Sequence, residues 1–339
     1  MSLVNSIICT MVAGFMNGTY AFPVKYMNSW KDENIWLVFS LIAFLIMPWI
    51  SLLLLDTSIL QLIVNMPKNI LFILMLSGYL FGIGMIVFTF SLRFVGLGTS
   101  FMLNISSSTV LATLLPILWM EPKKLFSWFG VAEIVALILF CAAIITSYLA
   151  SCHKSNNKTV EQNPTEKKRV IIGILIGMFS GILTSAQGFS YAYATATLKT
   201  NIIGYTDSTL MSAPWIPIFT AAFIPYFAYF LFRNIRKKTL VNIYSKKTIT
   251  YSLLCLMMGI LYFGSLIVFS QASKSLGHLG AVIAWPMLMI FIILTSNFWS
   301  FIHGEWENSN KIALRYLSIS LIALITAIIS LSIAATINN

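Results

Sequence analysis

The chain has 339 residues, of which 58% are hydrophobic and only 9% are charged, and its formal net charge is +11 at pH 7. Since an ordinary soluble domain contains roughly 25% charged residues, this composition excludes a soluble globular protein. The positive charge does not indicate nucleic-acid binding, because the lysines and arginines lie in short loops between apolar blocks. We therefore expect an integral membrane protein that is embedded in lipid and has no nucleic-acid partner.

Ten long apolar blocks follow one another along the chain. About 20 apolar residues cross the roughly 30 Å hydrocarbon core of a bilayer. Backbone groups in lipid must be hydrogen-bonded within their own segment, which favours helices. The sequence predicts an all-α polytopic membrane protein whose spans 1 to 10 cover residues 3–23, 34–55, 70–92, 98–119, 126–150, 170–192, 210–232, 249–271, 279–302 and 313–336.

The loops between these spans differ in charge on the two sides of the membrane. When loops are assigned alternately, one side collects sixteen lysines and arginines and the other side five. The positive-inside rule makes the richer side cytoplasmic. Both termini are then expected outside, and the polar segment 151–169 is expected to be a cytoplasmic linker.

The linker separates two halves, residues 1–150 and 170–339, with five predicted spans each. Shifting span 3 by 181 positions places it on span 8, so that Gly78 meets Gly259. Because five is odd, the second copy must enter the membrane from the opposite side. Inverted repeats of this kind are common in carriers, where they surround a site near the membrane midplane. The sequence thus predicts two inverted five-helix repeats and transport by alternating access.

Further positions agree with this duplication. Arg93 meets Lys274 at the same offset, and residues 14–22 of span 1 resemble residues 181–189 of span 6 more weakly. A structural or signalling membrane protein has no need of such symmetry, so the duplication favours a transporter.

Uncharged polar side chains within the spans are candidate substrate ligands. A carrier needs converging donors and acceptors in an otherwise apolar cavity, and an amide both donates and accepts. An aromatic face suits the C–H face of a sugar. The alternative is hydrogen bonding between helices. The candidates are Asn17 and Tyr20 in span 1, Asn104 in span 4, Gln187 and Tyr191 in span 6, Gln271 in span 8 and Trp285 in span 9.

Glu133 is an acidic residue well inside a predicted span, roughly 10 Å deep at 1.5 Å per residue. An ionised carboxylate there costs on the order of 3 kcal/mol, so we expect it to be paired, hydrated or protonated. It is therefore a candidate for proton coupling. Alternatively, its side chain reaches the membrane boundary near Lys123 and Lys124.

No pattern typical of an enzyme or a metal site occurs. The sequence lacks a GxSxG elbow, a P-loop and an HExxH motif. Its four cysteines are scattered, without the paired spacing of a zinc site. We expect no catalytic residues, no metal and no cofactor.

Several motifs resemble those of one transporter family. They are PVK at residues 23–25, SWKDENIW at 29–36, MPW at 47–49, GIG at 82–84, LRFVG at 92–96, EWEN at 305–308, and Trp285 placed 21 residues before Trp306. In these motifs the chain resembles the bacterial L-rhamnose–proton symporters over nearly its whole length.

The resemblance implies the ten-helix drug/metabolite transporter fold in the bacterial inner (cytoplasmic) membrane. It also implies proton-coupled uptake of a monosaccharide or a related small polar metabolite, with that solute and protons as partners. In that superfamily the cavity lies among the first, third, fourth, sixth, eighth and ninth helices. This supports the uncharged candidates, and it demotes Glu133 because the fifth helix is peripheral. One departure concerns the substrate: the symporters carry an acidic residue shortly before the tryptophan that matches Trp285, whereas residues 280–284 here contain none.

Two other functions stay open on this basis. The first is export or facilitated passage of another small metabolite, such as an amino acid or an amine. The few acids within the spans weaken this hypothesis for cations, which need a buried carboxylate partner. The second is a membrane sensor that keeps the fold without transport.

Overall fold

The computed structural model describes residues 3–54, 56–95, 97–120, 122–153, 164–274, 276, 280–304, 306–307 and 309–338. This part of the chain is helical, without a strand, and it holds ten helices long and apolar enough to cross a membrane. The predicted all-α fold with ten spans is confirmed.

The spans keep their numbers, and their helices have the following bounds. In the first half they are Leu3–Thr19 with a 3-10 segment Phe22–Tyr26 (span 1), Asp32–Ser40 and Met47–Leu54 joined by a π-helical segment Leu41–Ile46 (span 2), Lys68–Val95 (span 3), Leu97–Met120 (span 4) and Trp128–His153 (span 5). In the second half they are Pro164–Asn201 (span 6), Asp207–Ser212 and Trp215–Lys237 (span 7), Thr248–Lys274 (span 8), Gly280–Ile302 (span 9) and Lys311–Asn338 (span 10). A short helix, Ser58–Asn65, follows span 2.

Span 6 begins earlier than the sequence predicts. Its helix starts at Pro164, so residues 164–169 of the predicted linker are helical. Proline suits the first helical position, because the N–H that it lacks would have no partner there. Residues 154–163, the rest of the predicted linker, lie outside the described residues.

Span 7 is interrupted near its start. Thr206 caps the first piece, since its hydroxyl accepts a hydrogen bond from the backbone N–H of Thr209. Pro214 precedes the second piece. A proline has no N–H to donate to the carbonyl four residues earlier, so the helical ladder ends before it.

The contacts between spans follow a regular scheme. Span 3 packs on spans 6 and 7, and span 8 packs on spans 1 and 2; span 4 packs on spans 5 and 6, and span 9 packs on spans 10 and 1. Spans 2 and 7, 4 and 9, and 5 and 10 also pack on each other. Exchanging every span with the one five places along reproduces these contacts, whereas the contacts of span 7 with span 8 and of span 6 with spans 7 and 9 have no equally strong counterpart. The first set is consistent with two inverted five-helix repeats.

The glycines matched between the halves occupy equivalent contacts. A Cβ atom on Gly78 would lie 2.0 Å from the carbonyl oxygen of Ile218 in span 7, and one on Gly259 would lie 2.6 Å from Cγ2 of Ile42 in span 2. Both positions therefore require the absence of a side chain, as close helix packing in membranes often does.

Polar side chains connect spans 2 and 7 at both sides of the bundle. On the first, the Glu33 side, Glu33 forms ion pairs with Lys237 at 3.1 Å and Arg233 at 3.6 Å. Asn34 donates to Oδ1 of Asn234 at 2.6 Å on the same side. On the opposite side, the Asp56 side, Asp56 accepts a hydrogen bond from Thr209 at 2.8 Å. Since these contacts involve the start of one span and the end of the other, they lie at opposite membrane faces.

Candidate substrate-binding site

A cavity lies among spans 1, 3, 4, 6, 8 and 9, the six that the resemblance implies. The space inside it that a water-sized molecule can occupy is about 70 Å³, smaller than the roughly 300–1,000 Å³ common for small-molecule pockets, so a sugar requires this cavity to widen. Every lining side chain is buried, with at most 9% of its surface exposed. The lining residues are Asn17, Tyr20, Phe81, Met85, Phe88, Phe101, Asn104, Ile105, Ser108, Thr184, Gln187, Tyr262, Leu266, Trp285, Met289 and Ile292.

Five of the seven candidate substrate ligands line this one cavity. They are Asn17, Tyr20, Asn104, Gln187 and Trp285. They come from spans 1, 4, 6 and 9, which are far apart in sequence, so the fold brings these polar groups together.

Asn17 and Asn104 also connect helices. The Asn17 amide donates to Oγ of Ser265 in span 8 at 2.8 Å. The Asn104 amide donates to Oγ of Ser180 at 2.8 Å and to Oγ1 of Thr184 at 3.3 Å, both in span 6. Their N–H groups therefore serve helix packing, and their carbonyl oxygens face no donor among the described residues.

Other polar atoms of the lining have no partner among the described residues. The indole N–H of Trp285 is buried without a hydrogen bond. No described residue hydrogen-bonds the Gln187 amide or the hydroxyls of Tyr20, Tyr262 and Ser108, although all four line the cavity. An unpaired buried polar group costs roughly 1–3 kcal/mol. A ligand with several hydroxyl groups could satisfy them together.

The cavity wall is largely aromatic. The Tyr20 ring stacks on Phe39 at 5.5 Å between centroids and meets the edge of Tyr262 at 4.9 Å. Phe88 and Phe101 pack edge to face at 4.9 Å. Such packing fixes the ring orientations, so the ring faces and hydroxyls of the wall are preorganised.

Tyr191 lies next to the cavity but does not line it. It stacks on Trp215 at 4.1 Å and donates to Oγ of Ser270 at 3.2 Å. The Trp215 indole donates to the same oxygen at 2.8 Å and stacks at 6.3 Å on Trp285, which reaches the cavity. A buried layer of rings, here called the aromatic plug, lies between the cavity and the Asp56 side. It consists of Tyr191, Trp215, Phe269 and Trp285.

Gln271 also lies outside the cavity. In span 8 the cavity is lined by Tyr262 and Leu266. Gln271 comes five residues after Leu266, so on a helix its side chain points about 140° away from the direction of Leu266. The Gln271 amide instead donates to Oγ of Ser208 at 2.5 Å, near the start of span 7.

Glu133 is separate from the cavity and is fully buried. Span 5 packs on spans 4 and 10 at the edge of the bundle. Neither carboxyl oxygen has a hydrogen-bond partner among the described residues. The interpretation that this side chain reaches the boundary near Lys123 and Lys124 is therefore wrong, because a snorkelling carboxylate would be exposed.

Most of the lining residues form pairs between the two halves of the chain. An offset of 181 relates spans 3 and 4 to spans 8 and 9, and the span 1 and span 6 likeness has an offset of 167. The pairs are Asn17 with Thr184, Tyr20 with Gln187, Phe81 with Tyr262, Met85 with Leu266, Asn104 with Trp285, and Ser108 with Met289. The cavity thus lies where an axis relating inverted repeats would pass.

Tyr262 is a lining residue that the sequence reasoning missed. It follows Gly259 by three residues, as Phe81 follows Gly78. Since residues three apart share a helix face, extending the matched glycines to the next turn would have found it.

Among the described residues that line the cavity, none carries a charged side chain. A charged ligand there would lack an opposite charge in a medium of low polarity, which is unfavourable. The cavity therefore suits a neutral, hydroxyl-bearing ligand.

Comparison with known proteins agrees with this chemistry. The family model of the L-rhamnose-proton symport protein (RhaT) matches residues 1–335. The L-rhamnose-proton symporters of Yersinia pestis (strain Pestoides F) and Yersinia pseudotuberculosis serotype O:1b (strain IP 31758) are each 22% identical to the chain over 345 residues, covering 98% of this chain and 99% of the relative. With ten apolar helices and a match over almost its whole length, the chain is a membrane transporter, not an enzyme, and it belongs to the L-rhamnose-proton symport protein family.

Proposed function

We propose that this protein takes up a monosaccharide together with protons across the bacterial cytoplasmic membrane. L-rhamnose is the first candidate because the relatives carry that name. The Glu33 side faces the cytoplasm, as the loop charges indicate, and the Asp56 side faces outward.

The observation that carries this proposal is the uncharged cavity with unpaired polar groups. The Gln187 amide, the Tyr20 and Tyr262 hydroxyls and the Trp285 N–H offer donors and acceptors from four spans. Aromatic faces beside them suit the apolar face of a pyranose. An amine would need a carboxylate in this lining, so a sugar fits better than the alternative amino acid or amine.

The symmetric lining supports alternating access. The aromatic plug of Tyr191, Trp215, Phe269 and Trp285 separates the cavity from the Asp56 side. On the Glu33 side, the rings of Phe39, Phe88 and Phe101 cover it. We infer that these two aromatic layers open in turn as the two repeats exchange their packings.

The residue that couples protons to sugar is a separate question. Glu133 has the chemistry of a proton carrier, but it lies on span 5, outside the cavity. A carboxyl that exchanges protons in step with the sugar should contact the cavity or the moving layers. We therefore propose that Glu133 takes no part in proton coupling.

A ligand screen by thermal stability tests the proposed substrate class. The detergent-solubilised protein is heated with monosaccharides, amino acids and amines in turn. A bound ligand stabilises the folded protein by about 2.7 kcal/mol at a hundredfold excess over Kd. We expect a monosaccharide to raise the Tm of the wild type clearly more than that of Gln187→Leu. A shift with an amine or amino acid and none with any sugar would contradict the proposal.

A further inference from the structure

A second pocket lies at the Asp56 side, apart from the central cavity. It is lined by Asp56, Ile59, Thr206, Ser208, Thr209 and Ser212, and its empty volume, counting its mouth, is about 400 Å³. Thr206 at its rim is exposed, whereas Ser212 is only 3% exposed. The pocket thus runs from the surface into the bundle between the end of span 2 and the start of span 7.

The acceptor in this pocket is the Asp56 carboxylate. It receives hydrogen bonds from the hydroxyl of Ser58, from the backbone N–H of Ser58 at 2.9 Å, and from Thr209 at 2.8 Å. The Ser58 bonds, followed by that of Thr209, hold the pKa of Asp56 below its usual range. Asp56 is therefore ionised at neutral pH and accepts hydrogen bonds without donating any.

One buried hydroxyl of the pocket is not used by the protein. Oγ of Ser212 has no hydrogen-bond partner among the described residues. Because an unpaired buried hydroxyl costs free energy, its presence in a pocket wall indicates a ligand that satisfies it.

The equivalent place on the Glu33 side is filled by the protein itself. There Glu33 pairs with Lys237 and Arg233, Asn34 bonds Asn234 at 2.6 Å, and Asn234 donates to the Glu33 carbonyl at 2.7 Å. The start of one span meets the end of the other at both sides, and at the Asp56 side the described residues leave a pocket between them.

The pocket is also connected to the aromatic plug. Ser208 accepts from Gln271 at 2.5 Å, and the residue before Gln271, Ser270, accepts from Trp215 and Tyr191. A ligand in the pocket would therefore lie directly outside the layer that closes the central cavity.

We propose that the Asp56 pocket is an external binding site that captures the polyhydroxylated substrate before it reaches the central cavity. This inference rests on the proposed function. A carboxylate and several hydroxyls bind vicinal hydroxyl groups, and Ile59 supplies an apolar wall. A metal cation fits less well, since it needs several oxygen ligands at about 2.3–2.6 Å, and Asp56 is the one carboxylate among the lining residues.

Uptake kinetics in cells test the site, with labelled L-rhamnose or whichever sugar the wild type accumulates. For Asp56→Asn we expect the KM to rise about tenfold, as for one lost charge-assisted hydrogen bond, with the maximal rate retained. For Ser212→Ala we expect a rise of about threefold, as for one weaker bond. The control is Thr113→Val, because the Thr113 hydroxyl is also buried without a partner but lines neither pocket.

Each outcome separates the external site from the proposed function. If the wild type accumulates sugar and neither variant changes the KM, the external site is refuted while the proposed function stands. If the wild type accumulates no sugar, the proposed function itself fails.

Other outcomes would give the pocket a different role. If sodium stimulates uptake by the wild type but not by Asp56→Asn, the pocket binds a cation and the proposal is overturned. A pH profile flattened by Asp56→Asn would likewise make Asp56 a proton carrier. If Asp56→Asn does not fold, Ser212→Ala decides, because its hydroxyl has no partner to lose.

Discussion

The central cavity and the contact between spans 5 and 10 both hold polar groups away from solvent, the first inside the bundle and the second at its edge. In the cavity wall, the Gln187 amide and the Trp285 N–H have no hydrogen-bond partner among the described residues. Between spans 5 and 10, Ser320 donates to the carbonyl of Ala143 at 3.0 Å and pairs with Ser147, and Ser330 donates to the carbonyl of Ala132 at 2.7 Å. We propose that the first set of groups binds a ligand, whereas the second set forms hydrogen bonds between packed helices.

Glu133 shows why this distinction needs the structure. It is buried and unpaired like the cavity groups, but it lies on a packing helix and lines neither pocket. Buried polarity marks a binding site only where space accompanies it. Four substitutions test this comparison.

Replacing Gln187 with Leu should have the largest effect. The amide contributes about two hydrogen bonds to a sugar, so we expect sugar affinity to fall by roughly tenfold to a hundredfold. The Tm without ligand should stay the same or rise, because no protein hydrogen bond is lost. Transport and thermal unfolding, measured together, check this. Asn297→Leu is a control for a buried amide of span 9 outside the cavity, and an equal loss of affinity there would contradict the site.

Replacing Gly78 with Ala should destabilise the protein by about 1–3 kcal/mol, the usual cost of overpacking. The added Cβ would meet the Ile218 carbonyl oxygen at 2.0 Å. Gly264→Ala is the matched control on span 8, because the nearest atom there is Cε of the flexible Met16 side chain at 3.2 Å. Equal thermal stabilities of the two variants would show that spans 3 and 7 are not so closely packed.

Replacing Ser320 with Ala should affect stability and not transport. The substitution removes the bonds to Ala143 and Ser147, which we expect to cost about 1 kcal/mol. The KM for sugar should be unchanged, since spans 5 and 10 do not line the cavity. A changed KM at unchanged stability would bring this contact into the transport mechanism.

Replacing Glu133 with Gln should have the smallest effect. Gln keeps the shape and cannot become charged, so stability should be equal or slightly higher. The pH dependence of uptake should follow that of the wild type. Loss of this pH dependence in Glu133→Gln would instead make Glu133 the proton-coupling residue.

The sequence was sufficient for the ten spans, because the length and continuity of apolar blocks depend only on bilayer thickness. It was also sufficient for five cavity residues, since Asn17, Tyr20, Asn104, Gln187 and Trp285 are polar or amphipathic groups on the spans concerned. The start of span 7 at Asp207 and its division into two pieces before Pro214 do not follow from the apolar blocks alone.

Other features depend on helix phase and on distant contacts. Gln271 is a polar residue on a span that lines the cavity, but its side chain points away from the cavity. The rotation of a helix about its axis depends on packing against distant spans, so the local sequence does not determine it. The Asp56 pocket joins the end of span 2 to the start of span 7, which are about 150 residues apart. No local pattern in the sequence indicates such a contact.

Accumulation of sugar in proteoliposomes under a pH gradient tests the central claim most directly. With the outside acidic and the inside neutral, we predict that labelled sugar accumulates above its external concentration. A protonophore should abolish accumulation, Gln187→Leu should reduce it at sugar concentrations near the wild-type KM, and Glu133→Gln should keep it. Sugar that merely equilibrates, or accumulates equally without the gradient, would contradict proton-coupled uptake through this cavity.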